Sequence, residues 1–253
     1  RKPQSNKTKK MIKPKTKISI LLPTRKRVKP CMHSLHSLFN NTSGNTKIEL
    51  LLGIDQDDTD SIEWFNSEEF SQYCVEKGVE CVIWQTPRLG YLNLNQYVNH
   101  LATMASGTHL MFWNDDAEML TKGWDKHIHQ NAQFFGCLRM TCDNQNHPFA
   151  LFPIIPQKWI EVFDCVSPVN HSDWWIYHVT HSLNRMINIP VHVIHNRSDV
   201  NGENADQTFA DNSYALDGQS PWDIRDYSHP QRRQDLIDWQ TTLMLYGYPH
   251  KRK

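Results

Sequence analysis

Carboxylates gather in two short clusters of this chain, each directly after an apolar run. "KIELLLGID" ends in Asp55, with Asp57 and Asp58 close behind, and "HLMFW" is followed by Asn114, Asp115 and Asp116. Neighbouring carboxylates repel, so the arrangement is cheap only where a cation or solvent compensates it. Oxygen ligands of this kind suit hard divalent ions, Mg2+ or Mn2+, which typically bridge a protein to substrate phosphates. A nucleotide diphosphate offers the missing negative oxygens, and the ion then stabilises it as a leaving group. The plain alternative for the second cluster is a solvated acidic turn.

The elements that must position these groups follow from periodicity. "KISILLP" reads as a buried strand ended by Pro23, and Met32, Leu35, Leu38 and Phe39 recur at helical spacing with Pro30 near the helix start. "KIELLLGID" is a second buried strand. "SIEWFNSEEFSQYCVEKG" reads as one amphipathic helix capped by Gly78. "VECVIW" is a third strand, "LNQYVNHLATMASG" a helix closed by Gly107, and "HLMFW" a fourth strand. Four strand–helix repeats of this length imply parallel strands with crossovers on both faces, and both carboxylate clusters then share the carboxyl edge, where open α/β sheets bind ligands. Beyond Asp116 the rhythm changes. "GWDKHIHQNAQ", "PQKWIEVF" and "SDWWIYHVTHSLNRM" predict helices, while "FFGCLRMT", "FALFPII" and "INIPVHVIH" predict strands. Residues 196–228, rich in Asp, Asn, Gly and Ser, predict an irregular, mobile segment before a terminal helix in "PQRRQDLIDWQTTLMLYG".

Composition narrows the class. At 253 residues, 39% hydrophobic and 21% charged, the chain can bury a substantial core. No apolar run approaches a membrane span, and the basic N-terminal stretch lacks the apolar segment of a secretory signal. Six scattered cysteines without a C-x-x-C motif predict buried free thiols and a cytoplasmic protein. The net charge of zero hides an asymmetry, because 12 of the 27 Lys and Arg residues lie in positions 1–29 and no acidic residue precedes Glu49. Residues 1–16 therefore read as a basic flexible arm, with Met11 a candidate start.

Glycine-rich phosphate cradles are missing: neither G-x-G-x-x-G after the first strand nor G-x-x-x-x-G-K-[ST] occurs, and G-x-S-x-G and H-E-x-x-H are also absent. The order "ILLPTRKR", "ELLLGIDQDD", "RLGYLNLNQYVNHLATMASGTHLMFWNDDAEML" and "GWD" resembles the nucleotide-sugar-binding core of GT-A fold glycosyltransferases. The likeness runs from Lys17 to about His195 and is greatest to small family-2-like members, including phage ones. It implies an α/β, Rossmann-like fold with a mostly parallel central sheet flanked by helices. The catalytic domain would span residues 17–198, with residues 199–253 forming the irregular segment and a helix packed on the same domain. The implied activity is metal-dependent transfer of a sugar from a nucleotide-diphosphate donor, a UDP-sugar first, to an acceptor hydroxyl.

The resemblance also assigns roles. Pro23, Thr24 and Arg25 would lie beside the nucleotide, Asp55 would contact its base, and Arg88 and Asn99 would flank the donor. "NDD" matches a D-x-D-type motif whose first acidic position is held by Asn114. That leaves Asp116 as metal ligand for Mn2+ or Mg2+, and Asp115 as a ribose contact or a support for the ligand. His195 follows a strand where related enzymes can supply a further metal ligand; a structural histidine is the alternative, and His192 the fallback. Asp173, at the start of an aromatic-rich helix, occupies the place of the catalytic base in inverting members, although Asp is also a strong helix N-cap. Trp174 and Trp175 could stack on a sugar or fill a core. Trp124 and Asp125 match the family's "WD", a structural contact beneath the acceptor site.

Two other classes stay open. One is a nucleotidyltransferase on a related sheet, which releases pyrophosphate. The other is a non-catalytic carbohydrate-binding relative, suggested by Asn114. The acceptor is expected to be a saccharide, with a polyanion such as modified nucleic acid as the minority reading. In that minority case, deleting residues 1–15 weakens DNA binding in gel-shift titrations and flattens its salt dependence, whose log–log slope is roughly −0.9 per phosphate contact. Equal, negligible DNA binding by both chains would favour the saccharide.

Overall fold

The computed structural model describes residues 16–196 and 230–247. The basic arm and the irregular segment expected from the sequence lie outside the described residues, apart from their boundary positions. The chain begins with β1 (Lys17–Thr24), α1 (Val28–Asn40), β2 (Lys47–Asp55), α2 (Thr59–Phe65), α3 (Glu68–Lys77), β3 (Val79–Thr86), α4 (Leu94–Met104) and β4 (His109–Phe112). It continues through β5 (Ala117–Met119), α5 (Trp124–Gln130), β6 (Cys137–Cys142), β7 (Ile154–Pro156), α6 (Lys158–Phe163), α7 (Ser172–Thr180), β8 (Met186–His195) and α8 (Pro230–Gly247). The strands form one sheet in the order β3-β2-β1-β4-β7-β6-β8-β5.

The first four strands run parallel, as their helical crossovers require. Their side chains divide between two cores. Ile18, Ile20, Leu22, Leu50 and Leu52 pack with Leu35 and Leu38 of α1 on one face. Leu21, Leu51 and Leu110 pack with Leu101 of α4 and Trp159, Trp175 and Ile176 of α6 and α7 on the other. Leu243 of α8 is fully buried in this second core, and Gln240 donates to the His178 carbonyl at 2.9 Å. With β7 the sheet becomes mixed: β7 runs antiparallel to β4 and β6, β6 and β8 pair in parallel, and β5 pairs antiparallel with β8.

Five local expectations are corrected. The helix expected over residues 61–78 is two helices, broken where the Ser67 hydroxyl accepts from Phe70 N at 3.2 Å and caps α3. Pro23 does not end β1: Leu21 O accepts from Trp113 N, so Pro23 turns its missing N–H to the same side, past the last β1–β4 pair. Gly107 does not cap α4, which ends at Met104. A Cβ there would stand 2.4 Å from Ser19 Oγ, so it is a point of close approach. "FALFPII" yields only the short β7, and β5 lies where no strand was expected.

The amino edge of the sheet is closed by a polar clamp. Glu49 is almost buried and accepts from Ser19 Oγ at 2.6 Å, Ser106 N at 2.9 Å and Ser106 Oγ at 2.6 Å, while Lys17 Nζ lies 3.1 Å away. Burial works against its charge, yet the hydroxyls, the amide and Lys17 hold the carboxyl below the usual range.

His109 lies nearby with its Nε2 buried and unpartnered, and burial pushes its pKa down from 6.5 to about 4. The unfolded chain therefore takes up a proton between about pH 6.5 and 4 that the folded chain refuses. Stability from this residue is complete well above pH 6.5 and falls as the pH drops through 4, by about 3 kcal/mol in all. Urea midpoints at pH 7 and pH 4.5 should show this loss, and His109→Gln should reduce it. An equal loss in both proteins would remove His109 as the cause.

Candidate active site

The carboxyl edge brings the two acidic clusters together. β1 and β2 end side by side, which sets Arg25 against Asp55 and Asp57. Arg25 Nη1 lies 2.9 Å from Asp55 Oδ2, and Nη2 lies 2.8 Å from Asp57 Oδ2. Asp57 is held below the usual carboxylate range by its Arg25 contact, with the charge of Arg88 adding to the effect. Asp58 caps α2 and accepts from Lys26 N at 2.6 Å. The other Asp55 oxygen accepts from the Tyr97 hydroxyl, which itself accepts from Leu89 N at 2.9 Å. Burial first and Asp55 second push the Tyr97 phenol up to about 12, so it remains a donor at neutral pH. A cleft of about 540 Å³ opens between residues 26–30 and 57–60.

Asp115 and Asp116 follow β4, both less than a tenth exposed. The Thr24 hydroxyl donates to Asp115 Oδ2 at 2.7 Å. Arg27 reaches between the two aspartates, with Nη1 3.1 Å from Asp115 Oδ1 and 3.3 Å from Asp116 Oδ2. Burial and the neighbouring Asp116 push the Asp115 carboxyl up, and Arg27 and Thr24 only partly reverse this. Burial also opposes ionisation of Asp116, but His195 and Arg27 prevail and hold it below the usual range.

His195 reaches this point because Ala117 of β5 pairs with it across the β5–β8 ladder, and Asn196 N donates to Asp116 O at 2.8 Å. Its Nε2 stands 3.0 Å from Asp116 Oδ1, an oxygen that is buried without a hydrogen-bond partner. The same Nε2 lies 3.2 Å from Asn114 Nδ2. The ring form with its proton on Nε2 points that proton at the carboxylate; the form with Nε2 bare accepts from the amide and sets its lone pair against the carboxylate oxygen. A divalent cation would relieve that opposition, so Asp116 and His195 fit a metal that draws its remaining ligands from phosphate and water. Among the described residues no group of three or more Asp, Glu, His or Cys side chains could hold a metal alone. Asn144 clamps the His195 backbone from both sides, at 2.9 and 3.0 Å. His192 faces the other way, half exposed and 2.8 Å from Asp143.

Asp173 is partly exposed in the first turn of α7, and its Oδ1 accepts from Trp174 N at 2.8 Å. The N-cap position belongs to His171, so the capping alternative for Asp173 is corrected. Trp174 is partly exposed between Phe149 and His178. Trp175 is buried against Trp159, Phe163 and Trp239, which corrects its acceptor role to a core one. Trp124 and Asp125 are wholly buried as well. Trp124 Nε1 donates to Leu38 O at 2.9 Å, and Asp125 accepts from Ser43 N at 2.7 Å and Ser43 Oγ at 2.5 Å. The Asn99 amide is engaged with the backbone of residues 166 and 167, tying α4 to the loop before α7. Sequence reasoning missed Arg27, Tyr97 and Asn144. "PTRKR" did display Arg27, but only the sheet shows which aspartates it meets.

A scan of protein-family models and a search of curated sequences find no match to this chain. Solved structures do resemble it. S. aureus TarS 1–349 in complex with UDP is 14% identical with a TM-score of 0.53, over 70% of this chain and 60% of that one. The mannosyltransferase PcManGT from Pyrobaculum calidifontis, in complex with GDP-Man and Mn2+, is 12% identical with a TM-score of 0.57, over 92% of this chain and 71% of that one. TarS 1–349 in complex with UDP-GlcNAc is 12% identical with a TM-score of 0.55, over 94% and 76%. The fold is GT-A-like. This GT-A-like chain spans less than two thirds of the first of these structures, and the likenesses do not support a viral origin. No helix among the described residues is long and apolar enough to cross a membrane.

The buried Asp125–Ser43 pair gives a test of the scaffold assignment. Asp125→Ala strands the Ser43 amide and should cost about 1–3 kcal/mol in urea unfolding, with acceptor KM per folded molecule unchanged. Normal stability with a raised acceptor KM would return Asp125 to the acceptor site.

Proposed function

We propose that this protein transfers a sugar from a nucleotide-diphosphate donor to an acceptor hydroxyl, with Mn2+ or Mg2+ held by Asp116 and His195. The observation that carries the reading is the 3.0 Å meeting of Asp116 Oδ1 and His195 Nε2 at the carboxyl edge of a GT-A-like sheet. When bound, the cation would offset the charge of the diphosphate and make it a better leaving group. The acidic and basic residues of the β1 and β2 ends would line the donor: Pro23, Thr24 and Arg25 beside the nucleotide, Asp55 toward the base, and Arg88 at the rim. Thr24 and Arg27 hold Asp115 in place, which suits Asp115 to support its neighbour. A UDP-sugar is the first donor to try, because TarS was solved with UDP and with UDP-GlcNAc.

In this reading Asp173 is the general base. Its carboxylate takes the proton of the acceptor hydroxyl as that oxygen bonds to the anomeric carbon. The bond from that carbon to the diphosphate breaks, the nucleoside diphosphate leaves, and the configuration inverts. Partial exposure in the first turn of α7 suits Asp173 to this task, and partly exposed Trp174 suits an apolar sugar face. Residues 17–198 and the helix at 230–247 would act as one catalytic unit.

Incubation with a panel of UDP- and GDP-sugars plus Mn2+, with detection of released nucleoside diphosphate, tests the activity. Pyrophosphate release would indicate a nucleotidyltransferase instead, and binding without turnover a carbohydrate-binding relative. Asp116→Ala should abolish metal-stimulated release while the chain stays folded. Asp173→Asn should lower transfer by about 10²-fold or more and leave nucleotide binding intact. Full turnover in either variant removes the role given to that residue.

A further inference from the structure

Arg27 is a buried cation at the place where a second cation is expected. Its side chain is 10% exposed, and one nitrogen contacts a carboxylate oxygen on each of Asp115 and Asp116. Asp115 has both oxygens engaged, one with Arg27 and one with Thr24. Asp116 divides its oxygens, with Oδ2 toward Arg27 and Oδ1 toward His195. Two carboxylates and one guanidinium leave a single negative charge in this contact group.

From this charge balance, and resting on the metal reading above, we infer that Arg27 makes divalent-cation binding depend on the nucleotide diphosphate. A divalent ion alone would turn the group net positive in a site nearly closed to water, with Arg27 held against the same aspartate. The guanidinium cannot relieve this by losing a proton. The negative oxygens of a diphosphate restore the balance, so ion and nucleotide bind together more tightly than either alone. Linkage makes the coupling reciprocal: the ion tightens the nucleotide by the factor by which the nucleotide tightens the ion. Arg27 is thus a positioning residue that acts through Asp116, and it couples the two ligands.

Mn2+ binding to the full chain at pH 7.5, read by calorimetry and by the loss of the free-ion EPR signal, tests this with UDP or GDP as the nucleotide probe. In the wild type, nucleotide should tighten Mn2+ binding by about tenfold or more, the scale of one unit charge a few ångströms from a divalent ion in a partly screened site. Arg27→Met should bind Mn2+ alone about tenfold or more tighter than wild type and lose most of the nucleotide effect, while Arg27→Lys keeps it. The double variant Arg27→Met with Asp115→Asn removes opposite charges together, which buried pairs tolerate better than single removals, and should regain the nucleotide dependence. If Arg27→Met does not fold, weaker Mn2+ binding by Asp115→Asn than by the double variant reads the same charge. Nucleotide dependence unchanged in Arg27→Met, or equal binding by Asp115→Asn and the double variant, overturns the inference and leaves the metal reading standing. Tight nucleotide-independent binding by the wild type does the same. No Mn2+ binding under any condition removes the metal reading and this inference with it.

Discussion

Two consecutive aspartates can stand almost out of water at the end of β4 because Arg27 lies between them. Removing a carboxylate from water is costly, and two side by side add their repulsion to that cost. One guanidinium nitrogen contacts both, and the group keeps its charge when buried. The other interactions of the site follow from this anchoring. Thr24 takes the far oxygen of Asp115, and the far oxygen of Asp116 is left to face His195. Without a cation built into the start of α1, this edge of the sheet would have to open to solvent or lose its charge.

The site also depends on two elements that carry no reactive groups. The three-residue β5 registers Ala117 against His195 and so fixes which histidine meets Asp116. Helix α4 holds Asp55 through Tyr97 and, two residues later, holds the loop before α7 through Asn99. The donor side and the helix that begins with Ser172 and Asp173 are therefore referenced to one rigid body.

Much of the parallel half was legible in the sequence because buried parallel strands read as continuous apolar runs separated by amphipathic helices. β1 to β4 and the shared edge of their carboxylates emerged from that pattern alone. The mixed half was less legible. β5 and β7 are too short to show a period, and His195 could not be told from His192 until the ladder put one inside and one outside. Burial explains the other differences. Trp124, Asp125 and Trp175 have side chains that suit either a sugar or a core, and only packing distinguishes the two. Arg27 sat within a run of basic residues that looks like a solvated surface, and its contacts with Asp115 and Asp116 have no local signal.

The clamp at the opposite edge of the sheet separates two jobs along the same strands. Ser19, Glu49 and Ser106 join β1, β2 and the turn before β4 at their amino ends, on the far side from Asp55 and Asp116. Gly107 is the tight point of this join, since any larger side chain would strike Ser19. Strand order and register are thus secured where no ligand is handled. The loops at the carboxyl edge are freed from that duty, and substitutions there can change recognition while the folding frame persists. A lineage built this way can diverge at one end of its strands and stay conservative at the other, so kinship would outlast in shape what it loses in sequence.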